Sequence, residues 1–362
     1  AMENVASVSK MRRAGVIGVI VTVILLLLAL SAARVAVGWP RNWPVEPRQY
    51  ADDEDDADYD VDVVFTWVDS SDSEWREAKL ERMKELNGGE AGGETDATAE
   101  RWTSPDEPEA EIELSLELLL QNAPWVRRIH IVTARSQRPR CLEENPTIRS
   151  ASKRIFVVHH DEIWQDETSL PVFNSHAIEA HLHNIPDLAE RFVYFNDDMF
   201  VMQPVARKQW FVGGRPILHP SVYQPVRHEL MDAFMPTEHQ KAWNNLAGVV
   251  PHNPVYLCPH QPYALSRGVM RRALDNRDPL VEKTKKSPFR SDRDIPPVGL
   301  ALNAGLVDGS VVLGAPNLND VQSLTGSVLE VLRTNPLPQF VCINASDDIG
   351  RDTADLRTTP TR

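Results

Sequence analysis

Two short runs, Val61 to Trp67 and Arg191 to Asn196, constrain this chain more than any other feature. Each is apolar and rich in β-branched or aromatic residues. Each runs straight into carboxylates, Asp69 after the first and the pair Asp197-Asp198 after the second. Runs of this kind read as buried parallel strands, whose carboxyl ends are where an open α/β sheet collects its polar, ligand-facing groups. Arg128 to Thr133 and Arg154 to His159 read as two more strands. Helical character falls on Ser73 to Leu86, on Glu111 to Gln121, and on Ser175 to about Asn184 with Asn174 as its N-cap. The alternation predicts an α/β fold with an open, mostly parallel sheet. Asn87 to Pro108, rich in Gly, Glu, Asp and Thr, reads as a surface loop. Beyond Pro204 the pattern predicts helices over Glu238 to Leu246, Gly268 to Asn276 and Gln322 to Arg333, and no internal repeat is visible.

Charge narrows the partners. With 38 Lys+Arg against 52 Asp+Glu the chain carries a formal charge of -14, which repels a nucleic-acid backbone, so no nucleic-acid partner is expected. The motif pattern excludes other classes. There is no GxGxxG fingerprint, Walker loop or GxSxG elbow to support a dinucleotide oxidoreductase, a P-loop kinase or an esterase. Three cysteines, Cys141, Cys258 and Cys342, show no CxxC spacing, and they leave open one disulfide with one thiol remaining.

Asn196-Asp197-Asp198 at a strand end supplies hard oxygen ligands of the type that hold Mg²⁺ or Mn²⁺ on a diphosphate. On the helix after Asn174, residues His176, Glu179 and His183 fall at spacings of three and four, which places them on one face. His159-His160-Asp161-Glu162 marks a strand end and a helix start. His260, and Arg290 within Arg290-Ser291-Asp292, are candidate phosphate-handling groups: arginine offers a fixed fork of donors, and histidine exchanges a proton near neutral pH.

The N-terminal part carries a different signal. Ala14 to Ala33 contains no charged residue, and its length of ~20 residues suffices for a helix to cross a bilayer of about 30 Å. Lys10, Arg12 and Arg13 precede it, so residues 1–13 are expected in the cytosol and everything after residue 33 in a lumen, as a single-pass type II protein. A cleaved signal peptide is the rival reading, since Leu30-Ser31-Ala32-Ala33 offers small residues for cleavage. Residues 34–60, with Pro40, Pro44 and Pro47 and the acidic run Asp52 to Asp56, read as a solvated stem whose acidity extends through Asp58 and Asp60 to Asp62.

Four stretches together resemble the Stealth family of sugar-phosphate transferases, which includes bacterial capsule enzymes and the N-acetylglucosamine-1-phosphotransferase α/β subunit. The first runs from Asp62 through Trp67-Val68-Asp69 to Asp72. The second extends from Ala123-Pro124-Trp125 through Asn174-Ser175-His176 to Asn196-Asp197-Asp198-Met199-Phe200. His260-Gln261-Pro262 to Arg290-Ser291-Asp292 forms the third, and Gln339 to Asn344 the fourth. The resemblance implies a Rossmann-like catalytic domain over residues 61–348, followed by a tail at 349–362, either end of the chain being open to truncation. It implies transfer of a sugar 1-phosphate from a nucleotide-sugar resembling UDP-GlcNAc to a glycan or glycoprotein hydroxyl, with release of a nucleoside monophosphate. Glu179, Asp198, His260 and Arg290 then match catalytic positions, Trp67, Val68, Asp69 and Asn344 match nucleotide-sugar binding positions, and Asp197 with Asp198 would hold Mg²⁺ or Mn²⁺. A Golgi or other secretory-pathway membrane is the expected setting, with self-association left open.

One departure bears on activity. Where family members place arginines in the helix before Ala123, this chain has Glu113 and Glu117, which would repel a diphosphate if they lined the site. They are expected to face away from it. The rival functions are a metal-dependent glycosyltransferase, which breaks the anomeric C–O bond instead, and an inactive, membrane-tethered glycan-binding relative.

Overall fold

The computed structural model describes residues 59–86, 109–220, 238–250, 255–275, 278–315 and 339–342. The expected span at 14–33, the stem up to residue 58, the expected loop at 87–108, the helix at 322–333, the tail and Asn344 all lie outside these residues. Among the described residues, no helix is long and apolar enough to cross a membrane.

Strand β1 (Val61–Thr66) is followed by helix α1 (Ser73–Leu86) and helix α2 (Ala110–Asn122). Then come β2 (Ile129–Thr133), β3 (Ile155–His159), a short helix α3 (Ser175–Glu179), β4 (Arg191–Asn196) and β5 (Met199–Val201). After these lie the small strands β6 (Phe211–Val212) and β7 (Arg215–Leu218), helix α4 (Glu238–Val249), β8 (Tyr263–Ser266), and helices α5 (Arg267–Leu274), α6 (Pro279–Lys286) and α7 (Pro297–Asp308). Strands β9 (Val312–Leu313) and β10 (Phe340–Cys342) complete the described elements.

The main sheet has the order β3-β2-β1-β4-β8, with β1 to β4 parallel and β8 antiparallel to β4. The predicted open, mostly parallel α/β sheet is therefore present. Strand β1 is central because it is apolar on both faces: Val61, Val63, Val64 and Phe65 are all buried. Helix α2 covers one face with Ile112, Leu116 and Leu119, which join Val63, Phe65, Ile131 and Phe195 in one core. Its register is set by two buried polar contacts to β5: Ser115 Oγ donates to the Met199 carbonyl at 2.6 Å, and Asn122 Nδ2 donates to the Val201 carbonyl at 2.7 Å. Strand β5 pairs with β10, so Cys342 lies opposite Met199.

Strand order reverses between β1 and β4, because the chain moves outward from β1 to β2 and β3 and then returns to β1's other side. Thr66 and Asn196 are register partners at the carboxyl ends of these two strands. A crevice forms at such a switch point because the loops leaving the two strands diverge to opposite sides of the sheet.

At the opposite end of the sheet, Asp62 lies within β1, wholly buried, so it belongs to the strand expected at Val61 to Trp67 and not to the acidic stem that leads up to it. Arg127 grips its carboxylate through Nε at 2.8 Å and Nη2 at 2.7 Å. His130 Nε2 lies 3.2 Å away, and the backbone N–H groups of Arg128 and Ala189 donate at 3.1 and 2.8 Å. Burial acts to raise its pKa, but the hydrogen bonds from Arg127, His130 and Ala189 prevail and hold it down at about 2. One carboxylate thus ties the amino ends of β1, β2 and β4 together.

The helix from Ser175 corrects the prediction. It ends at Glu179, and a 3₁₀ turn follows at Leu182–Asn184. Nδ1 of His181 lies 2.8 Å from the Ala177 carbonyl, the acceptor its own N–H would use in a continuing helix, and that N–H donates instead to Ile178. His183 consequently leaves the face of His176 and Glu179, and its carbonyl accepts from Arg267 Nε at 3.1 Å.

Candidate active site

The crevice at the switch point is lined by Thr66, Trp67 and Val68 from the end of β1, by Ser175 and Ile178 from α3, by Asn196 and Asp197 from the end of β4, and by Arg290. The predicted N-cap explains how distant segments meet here. Asn174 caps α3 by accepting from the His176 N–H at 3.1 Å, while its Nδ2 donates to Asp294 at 2.9 Å and faces the Phe289 carbonyl at 3.2 Å. Asp294, fully buried, accepts from the Ser291 N–H and hydroxyl at 3.1 and 3.0 Å. The loop carrying Arg290 is thereby fixed on α3, and Arg290 Nη2 donates to Ser175 Oγ at 2.6 Å.

Glu179 closes the other end of the same helix. Tyr194 OH donates to it at 3.4 Å and accepts from Thr66 Oγ1 at 3.0 Å, which links the ends of β1 and β4 to α3. Burial raises the Glu179 pKa, and the electrostatic influence of His176, Arg290 and His260, together with the Tyr194 hydrogen bond, opposes that rise. His260 stands at the mouth, exposed, with Nε2 2.8 Å from Asn196 Nδ2 and Nδ1 2.8 Å from Cys342 Sγ. Cys342 donates in turn to Asp198 Oδ2 at 3.4 Å. Glu179, Asp198, His260 and Arg290, taken from four separate segments, therefore gather around the ends of β1 and β4. His183 does not join them.

Asp197 and Asp198 have a third carboxylate beside them that sequence reasoning passed over. Helix α2 is locked to β5 through Ser115, and Glu111 lies one turn earlier on the same face, which carries it to the Asp197-Asp198 turn. Burial raises the Glu111 pKa, and the negative charges of Asp197 and Asp198 raise it further. Asp197 is likewise pushed up, by burial first and by Asp198 second. Asp198 Oδ1 is buried with no hydrogen-bond partner among the described residues. Three crowded carboxylates and an orphaned acceptor are a donor set that a divalent cation satisfies, so these residues fit the expected Mg²⁺ or Mn²⁺. The only sequence trace of Glu111 was an acidic residue in the first turn of a helix.

Trp67 and Val68 line the crevice, and the buried Trp67 Nε1 has no hydrogen-bond partner among the described residues. Asp69 is placed differently. Its carboxylate accepts from the Ser71 N–H at 2.8 Å and the Ser71 hydroxyl at 2.6 Å, so it shapes the loop after β1. Gln137, another residue the sequence did not single out, clamps that loop: it accepts from the Asp69 N–H at 3.0 Å and donates to the Asp69 carbonyl at 2.9 Å. All three cysteines are free thiols, so no disulfide joins them.

Glu113 and Glu117 have a structural explanation. At about 100° per residue they project from the side of α2 opposite Glu111, and both accept from Asn145 Nδ2, at 2.7 and 2.6 Å. Asn145 also caps the short helix Pro146–Ser150 through its Oδ1. Replacing both glutamates by arginine is expected to change the donor KM by less than about twofold while lowering stability by about 1–3 kcal/mol, the cost of stranding the amide. Thermal melting alongside steady-state kinetics checks both parts, and a large gain in turnover would place these residues in the site after all.

Comparison with known proteins agrees with the geometry. Residues 59–87 match Stealth protein CR1, conserved region 1, and residues 106–216 match Stealth protein CR2, conserved region 2. The first holds Trp67, Val68 and Asp69, and the second holds Glu111, Glu179, Asp197 and Asp198. An exopolysaccharide phosphotransferase of Streptomyces coelicolor is 37% identical over 248 residues, covering 67% of this chain and 39% of that protein. A capsular polysaccharide phosphotransferase of Aeromonas hydrophila is 42% identical over 154 residues, 42% of this chain and 39% of its own length. An exopolysaccharide phosphotransferase of Mycobacterium tuberculosis is 30% identical over 261 residues, covering 70% and 45%. The chain thus spans less than half the length of each of these relatives. A galactosyltransferase solved with donor and acceptor sugar analogues aligns over 83% of this chain and 97% of its own, at 12% identity and a TM-score of 0.41; the fold description rests on the strand order itself. His260 and Arg290 lie beyond the two matched regions, yet the structure brings them to the crevice those regions build. The chain belongs to the Stealth family.

Proposed function

We propose that this chain is an enzyme that transfers a sugar 1-phosphate from a nucleotide-sugar to a glycan hydroxyl, releasing a nucleoside monophosphate. The observation that carries this reading is the gathering of Glu179, Asp198, His260 and Arg290, with the carboxylates of Glu111 and Asp197, around the ends of β1 and β4, beside the crevice that Asp197 and Arg290 line. Attack on phosphorus asks a protein mainly for in-line positioning, charge neutralisation and a proton acceptor. Arg290, held by Ser175, presents fixed donors to phosphate oxygens. A divalent cation bound by Glu111, Asp197 and Asp198 would supply charge neutralisation for the diphosphate. His260, exposed at the mouth, takes the proton of the acceptor hydroxyl at Nε2, displacing the Asn196 amide that occupies that nitrogen. Glu179, flanked by His176, Arg290 and His260, orients that hydroxyl and balances the positive charge His260 acquires.

The relatives named as exopolysaccharide and capsular polysaccharide phosphotransferases support phosphate-linked glycan chemistry. The placement of Glu113 and Glu117 against Asn145 removes the main argument for an inactive relative. Incubating the protein with a panel of nucleotide-sugars, UDP-GlcNAc among them, and Mg²⁺ or Mn²⁺ is expected to release a nucleoside monophosphate, read by mass. Release of a nucleoside diphosphate would instead identify a glycosyltransferase, and no metal-dependent turnover would leave a binding protein. The proposal includes a location, with Ala14 to Ala33 as a retained anchor and the catalytic domain in a secretory lumen such as the Golgi. A mature N-terminus near Arg34 would show a cleaved signal peptide instead.

A further inference from the structure

Asp198 also borders groups of a different chemistry. Three residues from three segments, Asp198, His260 and Cys342, offer one oxygen, one nitrogen and one sulfur, with all three donor atoms within 4.8 Å of one another. Cys342 is held there by the pairing of β10 with β5, and it is buried. The hydrogen bonds form one consistent chain: the thiol donates to Asp198 Oδ2, its sulfur accepts from Nδ1–H of His260, and Nε2 of His260 accepts from Asn196. Magnesium and manganese favour oxygen donors, whereas a mixed oxygen, imidazole and thiolate set matches zinc.

We propose that Asp198, His260 and Cys342 form a second metal site that takes Zn²⁺ or a similar borderline-soft divalent ion and, when filled, withdraws Asp198 and His260 from phosphate transfer. A tetrahedral zinc with bonds of about 2.3 Å to sulfur and about 2.1 Å to oxygen or nitrogen separates its ligand atoms by about 3.6 Å. The Asp198 to Cys342 separation of 3.4 Å is already close to that. The His260 to Cys342 separation of 2.8 Å, a hydrogen bond, must open, and His260, exposed at the crevice mouth, has room to move. Zinc replaces two protons in this chain of bonds. The thiol proton leaves to solvent, and the imidazole proton moves from Nδ1 to Nε2, where Asn196 receives it by presenting its amide oxygen. One proton is released per ion, and the fourth coordination position stays open toward the crevice. The orphaned Asp198 Oδ1 supplies further acceptor capacity on the same side chain.

The binding half of this proposal stands on donor geometry alone, and the effect on turnover rests on the proposed transferase reading. Zn²⁺ titrated into metal-stripped protein against a chromophoric chelator is expected to bind at one ion per chain. Cys342→Ser and His260→Asn should each weaken it by at least about tenfold, while a Cys141→Ser and Cys258→Ser double variant should bind as the parent does. Co²⁺ in place of zinc should give a thiolate-to-cobalt absorption band in the double variant that Cys342→Ser lacks. Equal zinc affinity in the parent and Cys342→Ser would overturn the site, as would absence of the band. Should Cys342→Ser fail to fold, the band in the double variant still decides, since Cys342 is its one thiol. Zinc that binds at Cys342 without lowering Mg²⁺-supported turnover would overturn the inhibitory half and leave the transferase reading untouched.

Discussion

Asp198→Asn is expected to lower turnover by at least about a hundredfold while leaving thermal stability unchanged or raised, and Arg290→Ala is expected to show a comparable loss. The two effects share a cause. Each residue stabilises charge that is felt most in the transition state, where loss of one preorganised group costs about 10² to 10³ in rate. The stability sign separates function from structure at Asp198. Its carboxylate crowds Asp197 and Glu111, each of which is pushed up by burial and by its negative neighbours. Removing one charge from that cluster relieves repulsion, so a stabilised but inactive variant is the signature of a site assembled for a cation. Purified variants measured by melting and by single-turnover kinetics check both halves, and normal turnover in either would reject its assigned role.

The second large effect is on the fold itself. Asp62→Asn is expected to destabilise the protein by about 3–5 kcal/mol, a fall in Tm on the order of 10 °C. The substitution leaves the Arg127 guanidinium without its buried counter-charge and replaces an acceptor for several donors with an amide. The same residue sets an acid limit. Its folded pKa of about 2 lies below the 3.8 of a free aspartate, so its contribution of about 2.5 kcal/mol is fully present above pH 4 and is lost as pH falls toward 2. Histidines act earlier. Burial lowers His160 to about 3 and His181 and His183 to about 4, from 6.5. Each stays neutral in the folded chain while the unfolded chain takes up a proton, so stability declines below about pH 6.5 by about 1.4 kcal/mol per pH unit for each. A urea series from pH 7.5 to 4 should show this decline. A flat profile would mean that these imidazoles are protonated in the folded state.

The family assignment gains weight from where the unmatched residues fall. Conserved regions 1 and 2 account for the strand ends and α3, but Arg290 reaches the crevice only because Asn174 and Asp294 clasp its loop to the start of α3. Asn174 and Asp294 are positioning residues. Their substitution should act on substrate handling through the Arg290 loop.

What the sequence determined by itself is local. Apolar β-branched runs dictated β1, β2 and β4, which lie buried within the sheet, and also β3, which packing makes a half-exposed edge strand. Asn174 marked the start of α3 because a side-chain acceptor must satisfy the first free N–H groups of a helix. Residue chemistry and spacing singled out the four catalytic candidates, and the family pattern supplied their roles. Tertiary structure decided what depends on contacts distant in the chain. Asp62 looked like one more acid in an acidic stem, and only the approach of Arg127 and His130 across neighbouring strands makes it a buried anchor. Glu113 and Glu117 looked like a defect until Asn145 folded against them, whereas Glu111, two residues away, turned out to face the acidic crevice. Helix ends behaved likewise, since a histidine side chain taking a backbone carbonyl stopped α3 at Glu179. Periodicity specifies which face a residue occupies on an ideal element; packing specifies what that face meets, and the energy of a buried charge depends almost entirely on the second.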